Sequence, residues 1–273
     1  MRKILKDDLL DKNLYKDGFV VIPFLNKSET DQLVNFFYEN HPSGIEGFYA
    51  SAHAQDIPFR NKMNYGIKTV FIPAIQKYFC ECSPLGGSFV VKSNAMKDKL
   101  TPHQDWNIVD EEKFRSFNIW VPLVDLTKKN GAIKIKVGSH RWIKNFRGPG
   151  IPDDFQNFHE QIWNEMIPLY MKAGEALIYD HRLFHASDPN TTDILRVAAV
   201  FGIIPSEAKM FHCCGNNGSV EIYESSVDFF MKENIQDGPS ILRKVSTIEN
   251  TNKEISNWKF QWLRFKNSGL LFN

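Results

Sequence analysis

Residues 174–204 read GEALIYDHRLFHASDPNTTDILRVAAVFGII, and this stretch decides the fold class. Glu175–Tyr179 and Ile194–Ile204 have the aliphatic and β-branched content of strands. Between them, Asp188-Pro-Asn-Thr-Thr-Asp193 is a turn by composition. Upstream, Ser88–Ser93, Phe117–Leu123, Ala132–Val137 and Ile167–Met171 also read as strands. Asn130-Gly131 is a hairpin signal, and Lys172-Ala-Gly174 marks a further turn. Many short strands joined by turns predict a β-sandwich or barrel. Helices come in front. Gly18–Phe24 reads as a strand, Ser28 as an N-cap with Asp31 three residues on, and 29–39 as a helix. Thr69–Cys80 is a second expected helix, with Pro73 tolerated near its start. Arg141–Met166 breaks the rhythm with Trp142, Phe146, Phe155, Phe158 and Trp163, and reads as a lid or pocket wall.

Composition limits the function classes. The chain has 273 residues, 33 Lys+Arg and 32 Asp+Glu, and a balance of +1 speaks against a polyanionic partner such as nucleic acid or an acidic membrane surface. With 42% hydrophobic and 24% charged residues, disordered, collagenous and coiled-coil classes are excluded. Neither a repeat nor a linker-like tract interrupts it, so a single domain over 1–273 is expected. Its β core covers about 85–223, after a helical part over 1–84 and before a helical or irregular segment over 224–273. No apolar run suits a membrane helix, and the N-terminus turns acidic at Asp7-Asp8 where a signal peptide needs apolar residues. Cys80, Cys82, Cys213 and Cys214 form no CxxC pair, which predicts free thiols in a reducing cytoplasm.

The chemistry lies in Thr101-Pro-His103-Gln-Asp105-Trp106 and the quoted stretch. In extended backbone, His103 and Asp105 point to one side, where both reach a single ion. A third ligand must come from elsewhere; His185 is the best candidate, with His181 competing. Arg182 stands where an HExxH protease needs glutamate, so that motif is absent. Two histidines and a carboxylate with open positions opposite make the facial triad of non-haem Fe(II). The 188–193 turn lies midway between His185 and Arg196, so a regular hairpin would make them cross-strand neighbours. A guanidinium there suits a carboxylate cosubstrate bound bidentately.

Five stretches, HQDW (103–106), IWVPLVDL (119–126), NGAIKIKVGSHR (130–141), GEALIYDHRLFHAS (174–187) and PNTTDILR (189–196), together resemble the phytanoyl-CoA dioxygenase family of Fe(II)/2-oxoglutarate oxygenases. The resemblance spans about 88–205. It implies a mainly β fold with flanking helices around a double-stranded β-helix (jelly-roll, cupin-like) core. It also implies Fe(II) on His103, Asp105 and His185, with Arg196 on the distal carboxylate of 2-oxoglutarate and O2 as oxidant. Lys92, Trp120, Ser187 and Lys62 carry over as further cosubstrate contacts. Asn118, on the same strand face as Trp120, is polar and suggests a cavity lining. Because Asp105 is present, the implied reaction is hydroxylation or a related oxidation of a small molecule, not halogenation. The alternative is a non-enzymatic jelly-roll protein that binds a metal or small molecule.

Overall fold

The two faces of a strand pack into two different cores. Along Phe117–Pro122, Ile119 and Val121 pack outward under helices, while Trp120 belongs to an inner cluster. The computed structural model describes residues 2–41, 43–94, 99–232, 241–249 and 254–266. Its helices are α1 (Asp8–Asp17), α2 (Lys27–Asn40), α3 (Ile57–Tyr78), α4 (His159–Asn164), α5 (Val227–Lys232) and α6 (Asn257–Lys266). The strands are β1 (Phe19–Pro23), β2 (Phe48–Ala50), β3 (Cys82–Lys92), β4 (Leu100–His103), β5 (Phe117–Pro122), β6 (Ile133–Ile135) and β7 (Ile167–Pro168). They continue with β8 (Glu175–Asp180), β9 (His185–Ser187), β10 (Arg196–Pro205), β11 (Phe211–Asn216), β12 (Ser219–Glu224) and β13 (Arg243–Glu249).

A six-stranded sheet, β1-β8-β5-β10-β3-β2, faces a four-stranded sheet, β4-β9-β6-β7. Trp120, Leu177, Tyr179 and Ala198 of the first meet Ile133 and Ile135 of the second in one buried cluster. This is the double-stranded β-helix. β11, β12 and β13 form a separate three-stranded sheet. Helices α2 and α3 cover the outer face of the large sheet, where Leu33, Phe37, Met63, Ile67 and Phe71 pack on Phe89, Ile119, Ile178 and Phe201. Each such fully buried side chain contributes roughly 1.5–3 kcal/mol. No described helix is long and apolar enough to cross a membrane.

Several local expectations change. Asn26, not Ser28, caps α2: its side chain accepts from the Glu29 amide, and Glu29 returns a bond to the Asn26 amide. Helix α3 begins at Ile57, twelve residues before Thr69, and so places Pro73 well inside. Asp56 caps it, and Pro58 sits in the first turn, where its missing N–H costs nothing. Gly66 survives mid-helix because a Cβ there would lie 2.3 Å from the Phe36 ring of α2.

Asn130-Gly131 does not close a hairpin. β5 already pairs with β8 and β10, so the chain must cross to the other sheet, where β6 pairs with β7 and β9. Gly131 takes φ +76°, which glycine adopts without penalty. The 188–193 turn is likewise a crossover. β9 pairs with β4 and β6, and β10 with β3 and β5, so His185 and Arg196 are not cross-strand neighbours. Asn190, fully buried, secures the crossing by donating to the carbonyls of Lys92 (3.0 Å) and Ile194 (2.7 Å).

The aromatic-rich insertion packs more than it gates. Trp142, Phe155, Phe158 and Ile162 form a third core with Phe184, Ala186, Phe260 and Leu263. Lys134, outward-facing on β6, places Nζ 3.9 Å from the Trp163 ring, so this layer covers the outer face of the small sheet. Helix α6, which belongs to the C-terminal segment, joins the layer through Phe260 and Leu263; residues 267–273 of that segment lie outside the described residues.

Candidate metal centre

The end of β4 and the start of β9 lie side by side, with His103 opposite His185 and their ring centroids 4.1 Å apart. Asp105 follows two residues after β4, and its Oδ1 is 3.9 Å from His185 Nε2. One ligand atom from each of His103, Asp105 and His185 falls within a 4.8 Å cluster, which fits a single ion.

The hydrogen bonds fix which nitrogens face that centre. His103 Nδ1 lies 2.8 Å from the Thr101 carbonyl, and His185 Nδ1 lies 3.0 Å from the Leu183 carbonyl. A carbonyl only accepts, so each Nδ1 carries the hydrogen and each Nε2 keeps a free lone pair. Burial and the neighbouring His185 ring lower the His103 imidazole to about 4, which keeps it neutral and able to ligate at pH 7. Burial alone would raise the Asp105 carboxyl; the His185, His181 and His103 rings and the Asn118 amide instead hold it below its ordinary value. The donor set therefore suits a divalent ion of the Fe(II) type.

The inner face of the large sheet continues from this centre. Asn118 Nδ2 donates to Asp105 Oδ2 at 2.9 Å. Trp120 lies two residues along the same strand, and the Arg196 guanidinium carbon sits 5.4 Å from its ring. Arg196 is 3% exposed, has no carboxylate partner among the described residues, and leaves Nε without a hydrogen bond. Burial lowers it to about 10, so it remains a cation. Its register neighbour across β3 is Lys92, also fully buried, whose Nζ donates to the carbonyls of Ser187 (3.3 Å) and Asp188 (2.8 Å). Ser187 shares β9 and its inner face with His185. Lys62 is not brought here: it is exposed on α3, beyond the outer face of the large sheet.

Two nearby groups, Arg147 and Tyr179, carry no signal in the sequence; a third, His181, is the histidine that competes with His185 there. Arg147, from the aromatic-rich insertion, donates from Nε to the Asp105 carbonyl at 2.7 Å and pairs with Glu111. Tyr179, whose ring centroid is 4.8 Å from that of His185, is held protonated far above its usual range, first by burial and then by the Asp105 charge. His181 is buried with neither ring nitrogen bonded, and its carbonyl accepts from the Asp105 amide at 2.8 Å. Beside Asn107 lies a cavity of about 350 Å³ lined by Phe146, Phe211, Cys213, Ile222 and Val245. Burial raises the Cys213 thiol there to about 12, so it is inert packing.

The model of the family phytanoyl-CoA dioxygenase (PhyH) matches residues 75–198, the stretch that holds the triad, Trp120 and Arg196. Over these residues, a little under half of the chain, the sequence is similar to the phytanoyl-CoA dioxygenase family. Dioxygenase trt7 of Aspergillus terreus is 30% identical over 112 residues, which cover 38% of this chain and 35% of that protein. The chain spans 35% to 66% of the length of the first curated relatives it matches. Among solved structures, the non-heme alpha ketoglutarate dependent carbocyclase SnoK from nogalamycin biosynthesis superposes with a TM-score of 0.53 at 16% identity, over 75% of this chain and 86% of that one. HygX from Streptomyces hygroscopicus, solved with nickel, 2-oxoglutarate and hygromycin B bound, gives a TM-score of 0.52 at 14% identity, over 74% and 88% of the two chains. These likenesses agree on the double-stranded β-helix.

Proposed function

We propose that this protein is an Fe(II)- and 2-oxoglutarate-dependent dioxygenase that hydroxylates a small organic molecule. One observation carries the reading: the Arg196 cation, without a carboxylate partner among the described residues, lies buried beside Trp120 on the large sheet, and Asn118, two residues from Trp120, bonds to Asp105 of the two-histidine, one-carboxylate cluster on the facing side. Burying a charge without a partner costs several kcal/mol, a cost that an anionic ligand removes. From Asn118 to Trp120 is one pleat repeat, roughly 7 Å, a spacing suited to a short dicarboxylate held at both ends.

In this reading His103 and His185 offer Nε2 and Asp105 offers Oδ1 to the iron. Arg196 grips the far carboxylate of 2-oxoglutarate in bidentate fashion, Lys92 adds positive charge beside it, and Trp120 and Ser187 line its path. When bound, iron and 2-oxoglutarate supply the oxidation of substrate by O2, with release of succinate and CO2. The protein orients the reactants and excludes water. Its apolar cluster surrounds the cosubstrate path. HygX, with 2-oxoglutarate bound in the same fold, is consistent with this use of the barrel. The four free cysteines suit a reducing compartment such as the cytoplasm.

Succinate release is the test. It should require both Fe(II) and 2-oxoglutarate in the wild type, and fall at least about 100-fold in His103→Ala and Asp105→Ala, a loss of roughly 2.7 kcal/mol. Full turnover in either variant, or none in the iron-loaded wild type across a broad substrate panel, would sink the proposal.

A further inference from the structure

We propose that Asn118 is a positioning residue that makes Asp105 a one-oxygen ligand and so keeps a coordination position open. The inference rests on reading His103, Asp105 and His185 as the metal site.

Asp105 needs outside support because it belongs to no strand: β4 ends at His103. Three hydrogen bonds from three different places hold it. Its amide donates to the His181 carbonyl at 2.8 Å. Its carbonyl accepts from Arg147 Nε at 2.7 Å. These two fix the main chain and leave the side-chain torsions free. The third bond acts on the carboxylate itself, where Asn118 Nδ2 donates to Oδ2 at 2.9 Å.

The two carboxylate oxygens thus have different environments. Oδ1 faces His185 Nε2 at 3.9 Å, inside the ligand cluster. Oδ2 is engaged by the amide. A carboxylate free to rotate can offer both oxygens to a divalent ion, which would use a position that a chelating cosubstrate needs. Asn118 opposes that rotation.

The amide is itself oriented. The same Nδ2 donates its second hydrogen to the Tyr179 hydroxyl at 3.2 Å. Turning the amide over would set its carbonyl oxygen against the Asp105 carboxylate, acceptor against acceptor. Tyr179 is the direct register neighbour of Asn118 across the β5–β8 ladder. Both residues therefore sit on a rigid ladder, and the donor is fixed before any metal arrives.

Metal-free protein should be titrated by calorimetry with Mn(II), and the loaded protein then titrated with 2-oxoglutarate. The Co(II) ligand-field spectrum, whose intensity follows the number of ligands, supplies a readout independent of turnover. Asn118→Leu keeps the volume and removes the donor. It should bind Mn(II) within about threefold of wild type, bind 2-oxoglutarate at least about tenfold more weakly (about 1.4 kcal/mol), and change the Co(II) spectrum. Tyr179→Phe removes the second acceptor of the amide but keeps the Asn118 donor, so it should weaken 2-oxoglutarate binding less than Asn118→Leu does. If Asn118→Leu does not fold by circular dichroism, Asn118→Ala and Asn118→Ser take its place, and the serine hydroxyl should recover part of the affinity the alanine loses. Wild-type 2-oxoglutarate affinity with an unchanged Co(II) spectrum in the donor-less variant overturns the proposal. A wild-type protein that binds no metal overturns the metal site as well, and so separates the two failures.

Discussion

At one end of the large sheet, Arg115 and Arg182 share the carboxylate of Asp180; at the other, Arg196 is buried with no acid beside it among the described residues. All three arginines are nearly inaccessible, at 8%, 7% and 3% exposure, so burial does not distinguish them. Pairing does. Asp180 also accepts from the Arg182 amide at 2.8 Å, and Arg115 stacks 4.5 Å over the Tyr15 ring. Burial alone would raise the Asp180 carboxyl, but Arg115 and Arg182 hold it well below the usual carboxylate range. Both guanidinium charges there are paired with a carboxylate of the fold itself, although Arg115 Nη2 makes no hydrogen bond. Arg196 has the Trp120 ring and no carboxylate among the described residues. A buried charge that the fold satisfies is structural; one that the fold leaves open is what we propose as a binding group.

The contrast can be broken from either side. The largest expected effect is on the paired cluster: Asp180→Ala leaves two buried cations unpaired and should cost about 3–5 kcal/mol in urea unfolding. Arg196→Met should do the reverse. It should leave unfolding stability unchanged or higher, and weaken 2-oxoglutarate binding about 100-fold by calorimetry. Loss of stability on the same scale as Asp180→Ala would make Arg196 structural too.

A pH dependence comes from the paired end. His140, 2% exposed, lies near this cluster, and burial lowers it to about 4, against about 6.5 for an unfolded histidine. A lowered histidine favours the folded state most when neutral. Its contribution is complete above about pH 6.5 and is lost as pH falls towards 4, by up to roughly 3 kcal/mol. The urea midpoint should drop over that window, and His140→Asn should flatten the drop. Smaller again is Arg196→Lys, which keeps the charge and loses the planar fork; about tenfold weaker 2-oxoglutarate binding is expected. Lys62→Ala, on the exposed helix face, should change it less than about twofold.

The sequence made the chemistry legible before the geometry. His103, Asp105, His185 and Arg196 stand out because residue type and order along the chain limit what they can do together. Trp120 comes with the family resemblance, and Asn118 from strand parity with it. The strand partners were not legible. Asn130-Gly131 specifies a local turn, but which sheet receives the next strand depends on which edges are already taken, and β5 has none free. For the same reason the turn symmetry that joined His185 to Arg196 put two groups on one hairpin that the fold places in facing sheets. Pro58 and Gly66 hid the first three turns of α3, because a helix breaker and a helix-start proline are the same residue read without its cap. Arg147 is invisible in sequence, since its bond to Asp105 spans 42 residues and depends on how the insertion packs.

The central claim is that Arg196 and the metal triad hold opposite ends of one dicarboxylate. The most direct measurement is calorimetric titration of 2-oxoglutarate into wild type with and without Mn(II), and into Mn(II)-loaded Arg196→Met. The account predicts one tight site in the metal-loaded wild type, and at least about tenfold weakening when either the metal or the guanidinium is removed. Equal affinity in all three samples would contradict it.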